Sequence, residues 1–442
     1  MAQTKTPTGQ REGGIQAMMP QAFQDRLFPY LTEIGEHYKT PFHLYDEAGI
    51  RQTCREMKER LGQVSEYRNF FAVKALPNPS IMKIMLDEGF GFDCSSMPEL
   101  DLSRLVEAKP QDIMFTSNNT SSMEYYWASM QGGCILNLDD VSFVAKVSRM
   151  PERICFRYNP GPLRDGNEIL GNPTEAKYGV RDDQIVEAYR LARERGAKTF
   201  GLHTMICSNQ RDYRYMVETV KMILKVAERL KEELNIEVEF VNIGGGFGIP
   251  YKPTDETFNL AAFALEAKKL FDEFEQYQGW RPKLYTECGR YVTGPHGVLV
   301  TSVINEMEKY RHYVGVDACM SALMRPAMYD AYHQIYVPGA EDRPQETVDV
   351  VGSLCENCDK FAKERKLPET HEGDLLVIAN TGAHGIAMGF NYNGRLRPKE
   401  LLLRSDGSVV LIRREETTED HFQTLSFGTN VFRPALVENS RQ

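Results

Sequence analysis

Eight short β-rich runs, each followed by a helical pattern, fill residues 42–290 of the 442-residue chain. They fall at 70–75, 89–94, 112–116, 134–138, 153–158, 199–206, 237–243 and 283–287. Between the later runs, Met216, Val220, Ile223, Ala227 and Leu230 recur at helical spacing and form an apolar stripe flanked by lysines and glutamates. Ile81, Ile84 and Met85 repeat the signal after the first run. Strands alternating with helices predict parallel βα units. Eight units in about 250 residues match a (β/α)8 barrel in size, with a doubly wound sheet as the alternative the pattern leaves open.

After about residue 292 the long helical patterns stop. Runs at 297–304, 313–316, 333–337, 347–351, 375–380, 401–403 and 409–413 are punctuated by turns such as Pro338-Gly339 and Asp406-Gly407. They predict a C-terminal antiparallel β-sandwich or barrel domain. The expected division is therefore 1–40 as an N-terminal extension, 41–291 as the barrel and 292–442 as the β domain. The β-rich stretch 42–45 is a candidate to join that second domain.

Charge narrows the partners. Fifty-two Lys and Arg face 62 Asp and Glu, a net charge of -10, the wrong sign for nucleic acid or an anionic membrane surface. Apolar runs such as Leu375-Leu376-Val377-Ile378-Ala379 fall far short of the ~20 residues a membrane span requires. Residues 1–14 are polar and Gly/Thr-rich, which reads as a flexible tail without a secretion signal, and the expected compartment is the cytoplasm. Nine cysteines in such a chain argue for reduced thiols. The single CxxC, Cys355 to Cys358, has no second ligand pair at zinc-site spacing, so no metal is expected there and Cys355 needs another role.

Three features converge on the C-terminal face of the expected barrel. Lys74 ends the first run, where the bland reading is a lysine snorkelling from a strand end. Gly244-Gly245-Gly246-Phe247-Gly248 follows the seventh run; it is either a tight turn or a backbone cradle for phosphate, which barrels commonly bind at that position. Glu287-Cys288-Gly289-Arg290 closes the eighth run, either as an internal Glu–Arg pair or as a site carboxylate beside a guanidinium. A lysine, a phosphate cradle and a carboxylate on one barrel face are what pyridoxal 5'-phosphate requires: a covalent partner, an anion site and a partner for the pyridine nitrogen.

With Phe71-Ala72-Val73-Lys74-Ala75-Leu76-Pro77-Asn78, these motifs are joined by Cys355-Glu356-Asn357-Cys358-Asp359 and Asn391-Tyr392-Asn393. This ordered set, spanning about residue 40 to the 420s, resembles the fold-type III (alanine racemase-like) pyridoxal-phosphate decarboxylases, and among them the diaminopimelate decarboxylases.

The resemblance implies that Lys74 links to the cofactor. Gly244, Gly245 and Gly246, with Ser208, Gly289, Arg290 and His384, would hold it, and Glu287 would bond the pyridine nitrogen. His203 is implied as a further cofactor contact, although a satisfied barrel histidine is the plainer reading. Cys355 would be the proton donor, reaching across from a partner subunit and so requiring a homodimer. Arg325 and Tyr329, in Arg325-Pro326-Ala327-Met328-Tyr329, would take the distal carboxylate of the substrate with Arg290, Glu356 and His384. A guanidinium matches a carboxylate with paired bonds and repels the terminal ammonium of ornithine or lysine.

The implied reaction removes the D-centre carboxylate of meso-2,6-diaminopimelate to give L-lysine, the last step of lysine biosynthesis. Decarboxylation of ornithine, lysine, arginine or a carboxylated polyamine is the competing reading, and a catalytically inactive regulatory relative is one of a different class.

Two positions depart from the family pattern. Met205 stands where a ring-stacking histidine is usual, and His384 stands where tyrosine is usual. A histidine there predicts activity that depends on pH near neutrality. Asp93, Ser95 and Glu99 also fit the pattern but could equally cap a helix.

Overall fold

The computed structural model describes residues 18–167 and 169–426. Strand β1 (Phe42–Asp46) precedes β2 (Tyr67–Ala72), β3 (Gly91–Cys94), β4 (Ile113–Phe115), β5 (Ile135–Leu138) and β6 (Arg153–Asn159). A two-residue β7 (Val180–Arg181), β8 (Thr199–Thr204), β9 (Phe240–Asn242) and β10 (Lys283–Thr286) follow. Neighbours β2–β6 and β8–β10 pair in parallel; β10 pairs with β2, and β5 with β6, closing an eight-stranded barrel. All eight expected runs are its strands, and the doubly wound alternative is excluded by the closure.

Phe70, Met114, Ile135, Cys155 and Phe240 fill the barrel interior. Gly201 makes that packing possible, since a Cβ there would stand 2.0 Å from the Phe240 ring. Outside, the helix Tyr213–Leu234 buries the expected stripe Met216, Val220, Ile223, Ala227 and Leu230. Its N-terminus is capped by the Asp212 carboxylate, which accepts from the Arg214 N–H, and it ends on Asn235 in the left-handed region.

The second sheet contains β11 (Gly297–Glu308), β12 (His312–Val316), β13 (Ile335–Tyr336), β14 (Gln345–Val351), β15 (Lys360–Pro368), β16 (Leu375–Ile378), β17 (Lys399–Leu403) and β18 (Val409–Arg413). The expectation of a purely antiparallel sheet is corrected. β1 joins this sheet, antiparallel to β11 and parallel to β17, and β12 runs parallel to β14 across a long connection. β15 was not among the expected strands because Lys360, Lys363, Glu364, Arg365 and Lys366 obscure its alternation. The 1–14 tail lies outside the described residues. The helices Gln21–Leu27 and Leu31–Tyr38, in contrast, bury Phe23, Leu27, Leu31 and Ile34 against Phe42, Val298, Val377 and Leu401. No helix among the described residues is long and apolar enough to cross a membrane.

The two sheets are tied together over the barrel mouth. Asn380 Nδ2 donates to Pro250 O at 3.0 Å, and the His384 N–H donates to Ala75 O at 2.9 Å.

Candidate active site

Beyond Ala72 the chain turns sharply through Val73–Ala75, burying Val73 and Ala75 and leaving Lys74 exposed. Asn78 then caps the next helix, accepting from the Ser80 N–H, with Pro79 in its first turn. Lys74 is thus held by rigid flanks, and among the described residues its side chain forms no hydrogen bond or ion pair.

The glycine loop is packed on both sides. Gly244 and Gly246 take φ of +70° and +96°, which side-chain-bearing residues avoid. A Cβ on Gly245 would lie 2.6 Å from Glu287 O, and one on Gly246 2.6 Å from both Cys207 O and Cys207 Sγ. Gln210 N–H donates to Gly246 O at 2.7 Å, which brings the Ser208 segment beside the loop. Gly289 abuts the Lys74 turn, since a Cβ there would meet that of Ala75 at 2.6 Å. This backbone admits no side chain and fits a phosphate cradle.

Glu287 sits almost solvent-free at the end of β10. Its Oε1 accepts from Asn242 Nδ2 at 2.8 Å, and its Oε2 lies 3.1 Å from His203 Nε2. Burial alone would raise its pKa, but His203, Lys74 and Arg157 hold it below the ordinary carboxylate range. Neighbouring Asp93 goes the other way: burial first, then the Glu287 charge, push its carboxyl well above that range. Its Oδ1 is buried without a hydrogen-bond partner. The two carboxyls are therefore pushed in opposite directions, Glu287 toward the ionised form and Asp93 toward the protonated one. His203 serves the Glu287 carboxylate through Nε2, while its Nδ1 is buried without a partner. The capping alternative describes the Glu99 segment, where Ser96 caps the helix and Glu99 Oε2 accepts from the Ser95 N–H.

Met205 lies beside the glycine loop, with its Sδ accepting the Gly245 N–H at 3.2 Å. His384 is half-buried with φ of +55°. Burial, then the charges of Arg290, Lys74 and Arg325, push its pKa well below 6.5. The expected titration of His384 near neutrality is thereby corrected: three cations around a desolvated ring keep it neutral.

Arg325 is 5% exposed and Arg290 half-buried, and among the described residues neither forms an ion pair with a carboxylate. Arg325 Nη1 bonds to His333 Nε2 at 3.0 Å, its guanidinium lies over the Tyr251 ring, and Arg290 Nη1 donates to Tyr251 Oη at 2.5 Å. Burial lowers the proton affinity of Arg325, and the Arg290 charge adds to that. A buried guanidinium held only by neutral groups leaves its charge uncompensated.

Tyr329, Cys355 and Glu356 are exposed on the single chain. The bonds of this segment run within the second sheet: Cys355 N–H to Asn393 Oδ1 at 2.8 Å, and Asp359 carboxylate oxygens accepting from Met320 and Leu354 N–H groups. The structure thus gathers Lys74, Ser208, the glycine loop, Glu287, Gly289, Arg290, Arg325 and His384 around one barrel mouth, and leaves Cys355 and Glu356 facing outward.

Tyr251, His333, Asn242 and Arg157 were absent from the sequence reading. Tyr251 had a faint signal, as the first aromatic beyond the glycine loop; His333 had none, because its role depends on the β16 end that orients it.

Residues 47–294 match the family model described as the pyridoxal-binding domain of pyridoxal-dependent decarboxylases. Protein TabA of Pseudomonas amygdali pv. tabaci is 46% identical over 415 residues, 94% of this chain and 98% of that one. A diaminopimelate decarboxylase of Methanothermobacter thermautotrophicus is 37% identical over 407 residues, 90% and 94% of the two chains. The crystal structure of diaminopimelate decarboxylase from M. jannaschii in complex with L-lysine superposes with a TM-score of 0.82 at 28% identity, covering 89% of this chain and 93% of that one.

Proposed function

Because the chain belongs to the pyridoxal-phosphate-dependent amino-acid decarboxylases, we propose that it decarboxylates meso-2,6-diaminopimelate at its D-centre to L-lysine, as a cytoplasmic homodimer with shared active sites. The observation that carries this reading is the pair Arg325 and Arg290, cations in the site that no carboxylate among the described residues satisfies. They suit a substrate that brings its own distal carboxylate. A terminal ammonium, as in ornithine or lysine, would meet repulsion there of order 1–4 kcal/mol at close range.

The cofactor, when bound, supplies an aldehyde for the substrate amine and a pyridine ring that accepts the electron pair released as carbon dioxide leaves. The chain supplies the rest. Lys74 would offer its amine to the aldehyde; because the Gly244 and Gly245 N–H groups already donate to Asn242 Oδ1 and Met205 Sδ, the remainder of the glycine loop with Ser208 would hold the phosphate. Glu287, kept ionised, holds a proton on the ring nitrogen. Neutral His384 can donate to an oxygen without adding charge. Cys355 and Glu356, outward-facing here, would enter a partner's barrel mouth, where the Cys355 thiol would deliver a proton.

The relative at 46% identity bears a name other than diaminopimelate decarboxylase. With Met205 and His384 at the cofactor, it favours as second reading the same reaction on another amino acid with a distal carboxylate. Carbon dioxide release measured side by side with meso-diaminopimelate, ornithine, lysine and arginine is the test. Release from diaminopimelate alone is expected; preferential release from a basic amino acid overturns the proposal.

A further inference from the structure

The bonds of both substrate-facing guanidiniums converge on two residues that carry no net charge. Tyr251 ends the segment that begins with the glycine loop. That segment is fixed by Asp255 Oδ2, which accepts the Tyr251 N–H at 2.9 Å, and by Asn380 Nδ2, which donates to Pro250 O at 3.0 Å. The face of the Tyr251 ring lies 4.4 Å from Arg325 Cζ, while its hydroxyl oxygen accepts from Arg290 Nη1 at 2.5 Å. His333, fully buried, packs edge-on against the same ring, with centroids 5.3 Å apart at 75°.

The protonation of His333 follows from its neighbours. A guanidinium has only donors, so Nε2, 3.0 Å from Arg325 Nη1, accepts. Nδ1, 2.8 Å from Ala379 O, then carries the hydrogen and donates it to that carbonyl. The β16 end thereby selects one tautomer, and that tautomer presents a lone pair to Arg325.

We propose that Tyr251 and His333 are positioning residues that hold Arg290 and Arg325 side by side through neutral acceptors, aiming both guanidiniums at one substrate carboxylate. This rests on the reading that these arginines take the distal carboxylate. Two adjacent cations separate unless something fixes them. An aspartate or glutamate in either role would fix them, but it would also cancel the charge the substrate needs. A phenol oxygen, an aromatic face and an imidazole lone pair fix the geometry and leave the charge available.

The test uses the holoenzyme, with carbon dioxide release from meso-diaminopimelate giving KM and kcat. Tyr251→Phe, which removes one oxygen, and His333→Leu are each expected to raise KM roughly tenfold, the scale of losing one bond to a charged group. Both should keep kcat within about threefold of wild type. His333→Gln, which can present an acceptor where Nε2 stood, should restore most of the KM. Unchanged KM in Tyr251→Phe, or equal damage from His333→Gln and His333→Leu, overturns the proposal. If His333→Leu fails to fold, Tyr251→Phe and His333→Gln decide alone. Nitrogen-15 NMR of the histidine-labelled holoenzyme separates failure of this idea from failure of the substrate reading. A neutral His333 with its hydrogen on Nδ1 supports the frame even if diaminopimelate is not turned over, whereas a hydrogen on Nε2 overturns it.

Discussion

His203 Nε2 lies 3.1 Å from Glu287 Oε2, and both side chains are almost sealed from solvent at the closed side of the barrel mouth. The pair gives Glu287 a fixed orientation and helps keep it ionised against its burial. Glu287→Gln keeps the shape and the Asn242 contact but loses the charge. Turnover should fall by about 10² or more, the scale seen when a preorganised electrostatic partner is removed. Cofactor absorbance should persist. Wild-type turnover in Glu287→Gln would remove Glu287 from the chemistry.

Gly246→Ala should weaken cofactor binding more than backbone strain alone explains. At φ of +96° its Cβ would press on Cys207 O and Sγ. Gly339→Ala is the control, with φ of +84° and open space around it. Both substitutions carry strain of order 1–3 kcal/mol, but only the first should raise the pyridoxal phosphate concentration needed to restore absorbance after the cofactor is stripped. Equal titrations would mean the loop is a turn and not a cradle.

Lys74→Ala and Cys355→Ala should each be nearly inactive, and co-expressed they should recover activity. If sites are shared across a dimer, half of the dimers are mixed and carry one intact site of two, giving roughly a quarter of the wild-type rate. Lys74→Ala should also lose the borohydride-reducible cofactor link. No recovery in the mixed preparation would place Cys355 and Lys74 of one site in the same chain.

Acid should destabilise the protein from about pH 6.5 downward through its buried histidines. Burial lowers the pKa of His43 and His296 from 6.5 to about 4 and that of His333 to about 3. The folded state keeps these rings neutral, while the unfolded chain takes up protons below 6.5. Their contribution is therefore fully present above pH 6.5 and is lost as the pH falls toward 4, by on the order of 1–3 kcal/mol per ring. Melting temperature should decline steadily across that window, and a flat profile would contradict the buried neutral state. Because His384 is neutral too, His384→Tyr should leave the pH–rate profile between 6 and 8 unshifted.

The barrel was legible in the sequence because strand and helix periods differ, so Met216 to Leu230 and the run ending at Lys74 announce their elements locally. Gly244 to Gly246 and Glu287 were legible for the same reason, since each directly follows a barrel strand. The second sheet was less so. β15 hides its alternation under surface charge, and the parallel placement of β1 between β11 and β17 depends on pairing between residues far apart in sequence. The ionisation of His384 was misjudged because its proton affinity is lowered first by burial and then by the cations Arg290, Lys74 and Arg325, which only the fold brings about. Tyr251 and His333 went unseen because each is defined by what it orients.

β1 has a further consequence, for how the chain comes off the ribosome. Its Phe42 pairs with Val300 on one side and Lys399 on the other. The earliest strand to be synthesised therefore waits with both edges open until β11 has emerged, and with one edge open until β17 follows near the end of the chain. A nascent chain stalled after the barrel would expose the apolar edge of Phe42 and Leu44 and the helix face of Phe23 and Leu27 that packs against it. Truncation before residue 399 should accordingly yield aggregates and not a free barrel, because the β17 edge of β1 is left unpaired.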